Sequence, residues 1–131
     1  MTVTIPSDPS TIITWGATST DLTDGWFIMG QWYRQVYYSV APSYLPGGSG
    51  SCTAGTTCLT VNGLSSTTYP TTTDKRAILI FMGRTLNGSA RPSSTLGDYL
   101  ESQNASSGDR VFAHTSVVSS SINDRVVVVA P

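Results

Sequence analysis

Residues Arg125 to Pro131 read RVVVVAP, four consecutive valines closing a chain that is otherwise polar. Such a run reads as a β-strand buried on both faces, because β-branched side chains suit a pleated surface and no polar residue alternates with them. A strand of that kind needs cover on each side. The remainder of the sequence has to supply it.

Working outward, residues 76–84 (RAILIFMGR) form a second apolar run of strand length that also looks two-sided. Residues 31–42 (QWYRQVYYSVAP) alternate instead, with Trp32, Arg34, Val36, Tyr38 and Val40 on one face and Tyr33, Gln35, Tyr37 and Ser39 on the other; Pro42 ends the strand. CLTVNG (58–63) is a short strand leading into an Asn-Gly turn, and RVFAHTSVV (110–118) an edge strand. The stretch RPSSTLGDYLESQNASSGD (91–109) changes period. Thr95 is placed to cap, Asp98 follows three residues on, and Leu96, Tyr99 and Leu100 share one helical face. These features predict one short helix ending near Asn104, with Gly108 beyond it. Residues 1–25 read as an irregular N-terminal segment, with a turn at Asp24-Gly25 and Asp21 or Thr23 capping a short helix. The expected fold class is α+β and β-rich, an antiparallel sheet with one short helix in a single domain over 1–131.

Composition narrows the function. Charged residues make up only 11% of the 131, with a net charge of -1, so the chain lacks the basic field that selects phosphate backbones or anionic lipid. Nucleic acid is not an expected partner. Abundant Ser, Thr and Gly suit a secreted or surface-exposed β protein. Cys52 and Cys58 bound CTAGTTC, whose glycine and small residues let the loop fold back into a disulfide; two free thiols are the alternative, while a zinc site would need four ligands and His114 is the only histidine. The opening MTVTIPSDPST carries neither the basic start nor the apolar run of a signal peptide, and no stretch approaches membrane-spanning length.

The two apolar strands and the single short helix do not balance. A helix of about three turns covers only part of a sheet face. A long apolar helix from elsewhere in the same fold would supply the rest.

The strings GQWYRQVYYSVAPSYLPGG (30–48), CLTV (58–61), DKRAILIFMGRTLNGSARPSSTLGDYLESQNAS (74–106) and NDRVVVVAP (123–131), in that order, resemble the globular headgroup of a type IV pilin or pseudopilin, the prepilin-type cleavage and methylation class. The likeness covers about the last 110 residues. It implies an antiparallel sheet packed against the C-terminal half of a long N-terminal helix, assembled into a bacterial surface pilus or a type II secretion-like filament. It also implies export through the inner membrane, other pilin subunits as partners, and membrane contact only through that helix. The family's leader, peptidase cleavage site, early glutamate and hydrophobic helix have no counterpart in these residues, so no family functional residue transfers to a numbered position. The expected role is structural, with no catalytic residues, cofactor or metal. The alternative is a secreted adhesive or glycan-binding β module.

Other chemistries leave weaker marks. His114 with Asp109 and a serine fits the inventory of a hydrolase triad, without a nucleophile elbow around it. Of the acids Asp21, Asp24, Asp74, Asp98, Glu101, Asp109 and Asp124, only those in SGD and IND sit in loops where backbone carbonyls could join them around calcium; solvated loop aspartates are the simpler expectation. Asp124 beside Arg125 reads as an exposed pair at the strand entrance. Arg76, Arg84, Arg91, Arg110 and Arg125 could pair with acids of a neighbouring headgroup or simply be scattered surface charge. Trp26, Trp32, Tyr33, Tyr37, Tyr38 and Tyr44 could form a glycan-binding stripe; core packing or cover by a helix accounts for them more simply.

Overall fold

A computed structural model of the chain describes residues 35–86, 88, 90, 91, 93–106 and 109–131. The segment 1–25, the Asp24-Gly25 turn, the caps at Asp21 and Thr23, and Trp26, Trp32, Tyr33 and Arg34 lie outside these residues.

Among the described residues the protein is β-rich. Strands β1 (Val36–Val40), β3 (Ala77–Phe81) and β5 (Arg125–Ala130) form an antiparallel sheet in the order β1-β3-β5. A second sheet pairs β2 (Thr60–Asn62) with β4 (Val111–Ala113) in parallel. The register of the larger sheet sorts its side chains cleanly: Tyr37, Ile80 and Val126 lie in one cross-strand row, and Tyr38, Leu79 and Val127 in the next. Successive rows point to opposite faces. The row of Tyr37, Ile80 and Val126 is buried, together with Ser39 and Ile78. Its cover is the second sheet, through Leu59, Val61 and Phe112, and the segment bearing Tyr99 and Leu100.

The final strand departs from its expected setting. It is an edge strand of the described sheet rather than a central one, and only Val126 of the four valines is fully buried. Between Ala77 and Ile78 the register slips, so that Ala77 faces Ala130, Ile78 faces Val128, and Val129 has no opposite residue. An unpaired bulge residue projects outward, and Val129 is 58% exposed.

The expected helix over the segment ending near Asn104 is also replaced. Two 3-10 turns, Leu96–Asp98 and Ser102–Ala105, stand there, and neither has a side-chain cap; Thr95 does not cap. The hydrogen bonds of an α-helix have been claimed by other groups. Arg91 donates to the carbonyls of Asp98 and Tyr99, the acceptors that Ser102 and Gln103 would use, and the Glu101 N–H goes to Asp124. Glu101 itself is extended, with ψ at 154°. The apolar set survives the change: Tyr99 and Leu100 are buried and Leu96 packs against the core.

Two turns follow from the sequence more directly. Pro42 closes β1 by opening a 3-10 turn, Pro42–Tyr44. After β2, Gly63 takes a φ of +82°, and a Cβ there would meet the His114 carbonyl oxygen at 2.3 Å. The Asn62-Gly63 turn therefore does not make a hairpin; it lets the chain leave β2 against the backbone beyond β4, where the His114 N–H donates to the Asn62 carbonyl at 2.8 Å.

Candidate functional site

The outward face of the larger sheet is the most prominent apolar surface the strands create. Alternation places Val36, Tyr38 and Val40 of β1, Leu79 and Phe81 of β3, and Val127 and Val129 of β5 on the side away from the core. Tyr38 is 45% exposed, Phe81 40% and Val127 46%, while Leu79 at the middle of the face is half-buried. Arg125 is the only charged residue in these rows, opposite Phe81 at one end, where its guanidinium donates to the carbonyls of Thr115 and Ser116. A three-strand surface of β-branched and aromatic side chains suits an elongated apolar partner.

No family model matches this chain, and no curated protein or solved structure does either. The residues alone carry the functional reading.

The expected disulfide is present. Cys52 and Cys58 are bonded with their Cα atoms 5.0 Å apart, and the described cysteines leave no free thiol. The bond ties the exposed loop to Cys58, which is buried at the entrance to β2.

His114 and Asp109 are engaged separately. His114 Nδ1 lies 2.9 Å from the Val126 carbonyl oxygen, an acceptor, so this nitrogen carries the proton and donates. The Asp109 carboxylate accepts from the Val111 N–H. Asp109 is exposed, in keeping with a solvated loop aspartate.

Asp124 is the largest correction. It is fully buried, with no exposed pairing to Arg125. Its Oδ2 accepts from the Glu101 N–H at 2.8 Å and from Asn104 Nδ2 at 3.2 Å. In return Glu101 Oε2 accepts from the Asn123 N–H at 3.1 Å, making a reciprocal clasp between the entrance of β5 and the Ser102–Ala105 turn. Burial, with the facing Glu101 carboxyl adding to it, pushes the Asp124 carboxyl up to about 6. Asn104 extends the clasp to β4: it donates to the Ala113 carbonyl and accepts from the Ala113 N–H.

Sequence reasoning missed this cluster. Asn104, Asn123 and Asp124 look like ordinary turn and strand-entrance residues, and their partners lie some twenty residues away. Among the described residues no three His, Cys, Asp or Glu side chains gather as a metal site, and no helix is long and apolar enough to cross a membrane.

Of the candidate intersubunit arginines, Arg91 is turned inward, held by the carbonyls of Gly83, Asp98 and Tyr99 and stacked 5.2 Å from the Tyr99 ring. Arg76 stacks on Tyr44. Tyr37 is a core residue rather than part of an exposed stripe; burial and its neighbours Tyr99 and Asp124 raise the phenol above its ordinary range.

Proposed function

We propose that this chain is the globular head of a pilin-like structural subunit, exported and assembled into a bacterial surface pilus or secretion-type filament. The observation that carries the reading is the apolar outward face of the β1-β3-β5 sheet, exposed at Tyr38, Phe81, Val127 and Val129 while the opposite face packs on the core. In this arrangement the C-terminal half of a long helix lies on that face, and neighbouring subunits pack through their own helices. The antiparallel sheet and the order of the apolar segments support the same reading. The disulfide-stapled loop is compatible with an oxidising compartment.

The test has two steps. The encoding gene, read upstream, is expected to contain about twenty apolar residues behind a short basic leader. The protein carrying the second half of that segment should melt higher than the chain alone by about 5 °C or more, since covering the exposed halves of two valines contributes about 1.5–3 kcal/mol. Equal melting temperatures, with no binding of the segment supplied as a peptide, would remove the physical basis of the proposal.

A further inference from the structure

We infer that the Asp124–Glu101 carboxyl pair shares one proton and acts as a pH-governed latch, holding β5 to the Ser102–Ala105 turn when protonated and loosening when the proton leaves. The inference is independent of the pilin reading.

The geometry locates the proton. Asp124 is wholly buried, and while its Oδ2 accepts two N–H donors, its Oδ1 has no hydrogen-bond partner among the described residues. An unsatisfied buried carboxylate oxygen is costly, and the natural remedy where another carboxylate faces it is a shared hydrogen. The reciprocal bonds, from the Glu101 N–H to Asp124 Oδ2 and from the Asn123 N–H to Glu101 Oε2, set the Glu101 side chain beside the entrance of β5 that carries Asp124. Protonated at Oδ1, Asp124 donates to Glu101, every oxygen of Asp124 is satisfied, and the pair holds one negative charge in place of two. The Glu101 carboxylate keeps its bond from the Asn123 N–H.

Among the described residues no cation offsets the second charge. From β1 the ionisable neighbour is Tyr37, with Tyr99 and Arg91 behind it. Arg91 is committed to three backbone carbonyls. His114, between β4 and β5, points its Nδ1 at the Val126 carbonyl, and Arg125 reaches away to the 115–116 backbone. Arg84 contributes its carbonyl to Asn123, which places no charge on the pair. Asn104 offers a neutral amide.

The sign follows from the raised affinity for the proton. In the unfolded chain Asp124 ionises near its ordinary value of about 4. In the folded protein it holds the proton to about 6. The clasp is therefore fully stabilising below the lower value, and its contribution falls as pH rises through the window between the two.

The experiment uses the full chain, with its carboxyl groups followed by NMR and its unfolding followed in urea between pH 4 and 8. The Asp124 carboxyl is expected to titrate more than one unit above an ordinary aspartate. The urea midpoint of the wild type should fall across that window. Glu101→Gln removes the facing carboxyl's charge and offers an N–H donor while retaining an acceptor for Asn123, so it should lower the Asp124 midpoint and flatten the fall. A wild-type Asp124 midpoint near 4, or the same fall in both proteins, would overturn the latch.

Discussion

Asn104→Ala removes a side chain that behaves as a piece of extra strand. The native amide is fully buried and makes three hydrogen bonds: Oδ1 accepts from the Ala113 N–H at 2.9 Å, and Nδ2 donates to the Ala113 carbonyl at 3.1 Å and to Asp124 Oδ2 at 3.2 Å. Truncation strands the two Ala113 backbone groups on the side of β4 away from β2, and Asp124 Oδ2 falls back on the Glu101 N–H alone. Each buried polar group left unpaired costs about 1–3 kcal/mol, and the oxygen that keeps one donor costs less. The expected loss is about 3–5 kcal/mol, a large fraction of the roughly 5–15 kcal/mol that holds a domain together. Urea unfolding at pH 5, with the slope compared to that of the wild type, measures it. Asn62→Ala is the control, because its exposed bond to Gln103 Oε1 is 3.3 Å long and should matter by under about 0.5 kcal/mol. A loss below about 1 kcal/mol in Asn104→Ala at unchanged slope would refute the view that this amide completes the β4 edge.

Four further outcomes are expected. Reducing the Cys52–Cys58 bond, or replacing both cysteines by serine, should cost about 2 kcal/mol in urea because the closed loop is short, with a sequence separation of 6. Gly63→Ala should destabilise by more than about 2 kcal/mol, its Cβ forced against the His114 carbonyl, whereas Ser102→Gly should be neutral or stabilising because Ser102 holds a φ of 54°; thermal melts of the pair would show opposite signs. Bonds from Lys75 and Thr71 hold the Asp74 carboxyl below its ordinary value, so its contribution is present above that value and lost as pH falls toward the lowered one; Asp74→Asn should flatten that acid limb. Since Lys75 is itself buried beneath Tyr69, Lys75→Met should be tolerated better than Asp74→Ala, by chemical denaturation at pH 7.

Alternation was readable where one face is dry. The period-two pattern over Val36 to Val40 separated Tyr37 and Ser39 from Val36, Tyr38 and Val40 without saying which face is dry; the structure buries the Tyr37 face, and Pro42 marked the strand's end. The valine run deceived, because four identical side chains contain no information about which face is covered; burial there is set by β3 and by the bulge opposite Ala77. The helix expected around Leu96, Tyr99 and Leu100 failed for a different reason. Its periodicity was real, yet Arg91 and Asp124 compete for the backbone groups such a helix needs, and competition from residues distant in sequence leaves no local trace. The outward apolar face was inferable from an imbalance between strands and cover. The Asp124 clasp was not, since nothing in IND separates a buried aspartate from a solvated one.

The strand order carries a consequence for how the chain matures. The centre of the larger sheet, AILIF of β3, is synthesised more than forty residues before β5, the strand that occupies one of its edges. Until residues 125–130 emerge, that edge is an unpaired apolar template, open to the same segment of another nascent copy. The last six residues before Pro131 thus act as a built-in guard against aggregation. Deleting residues 125–130 would show itself first as insoluble protein during expression, before any change in the melting of the fraction that folds.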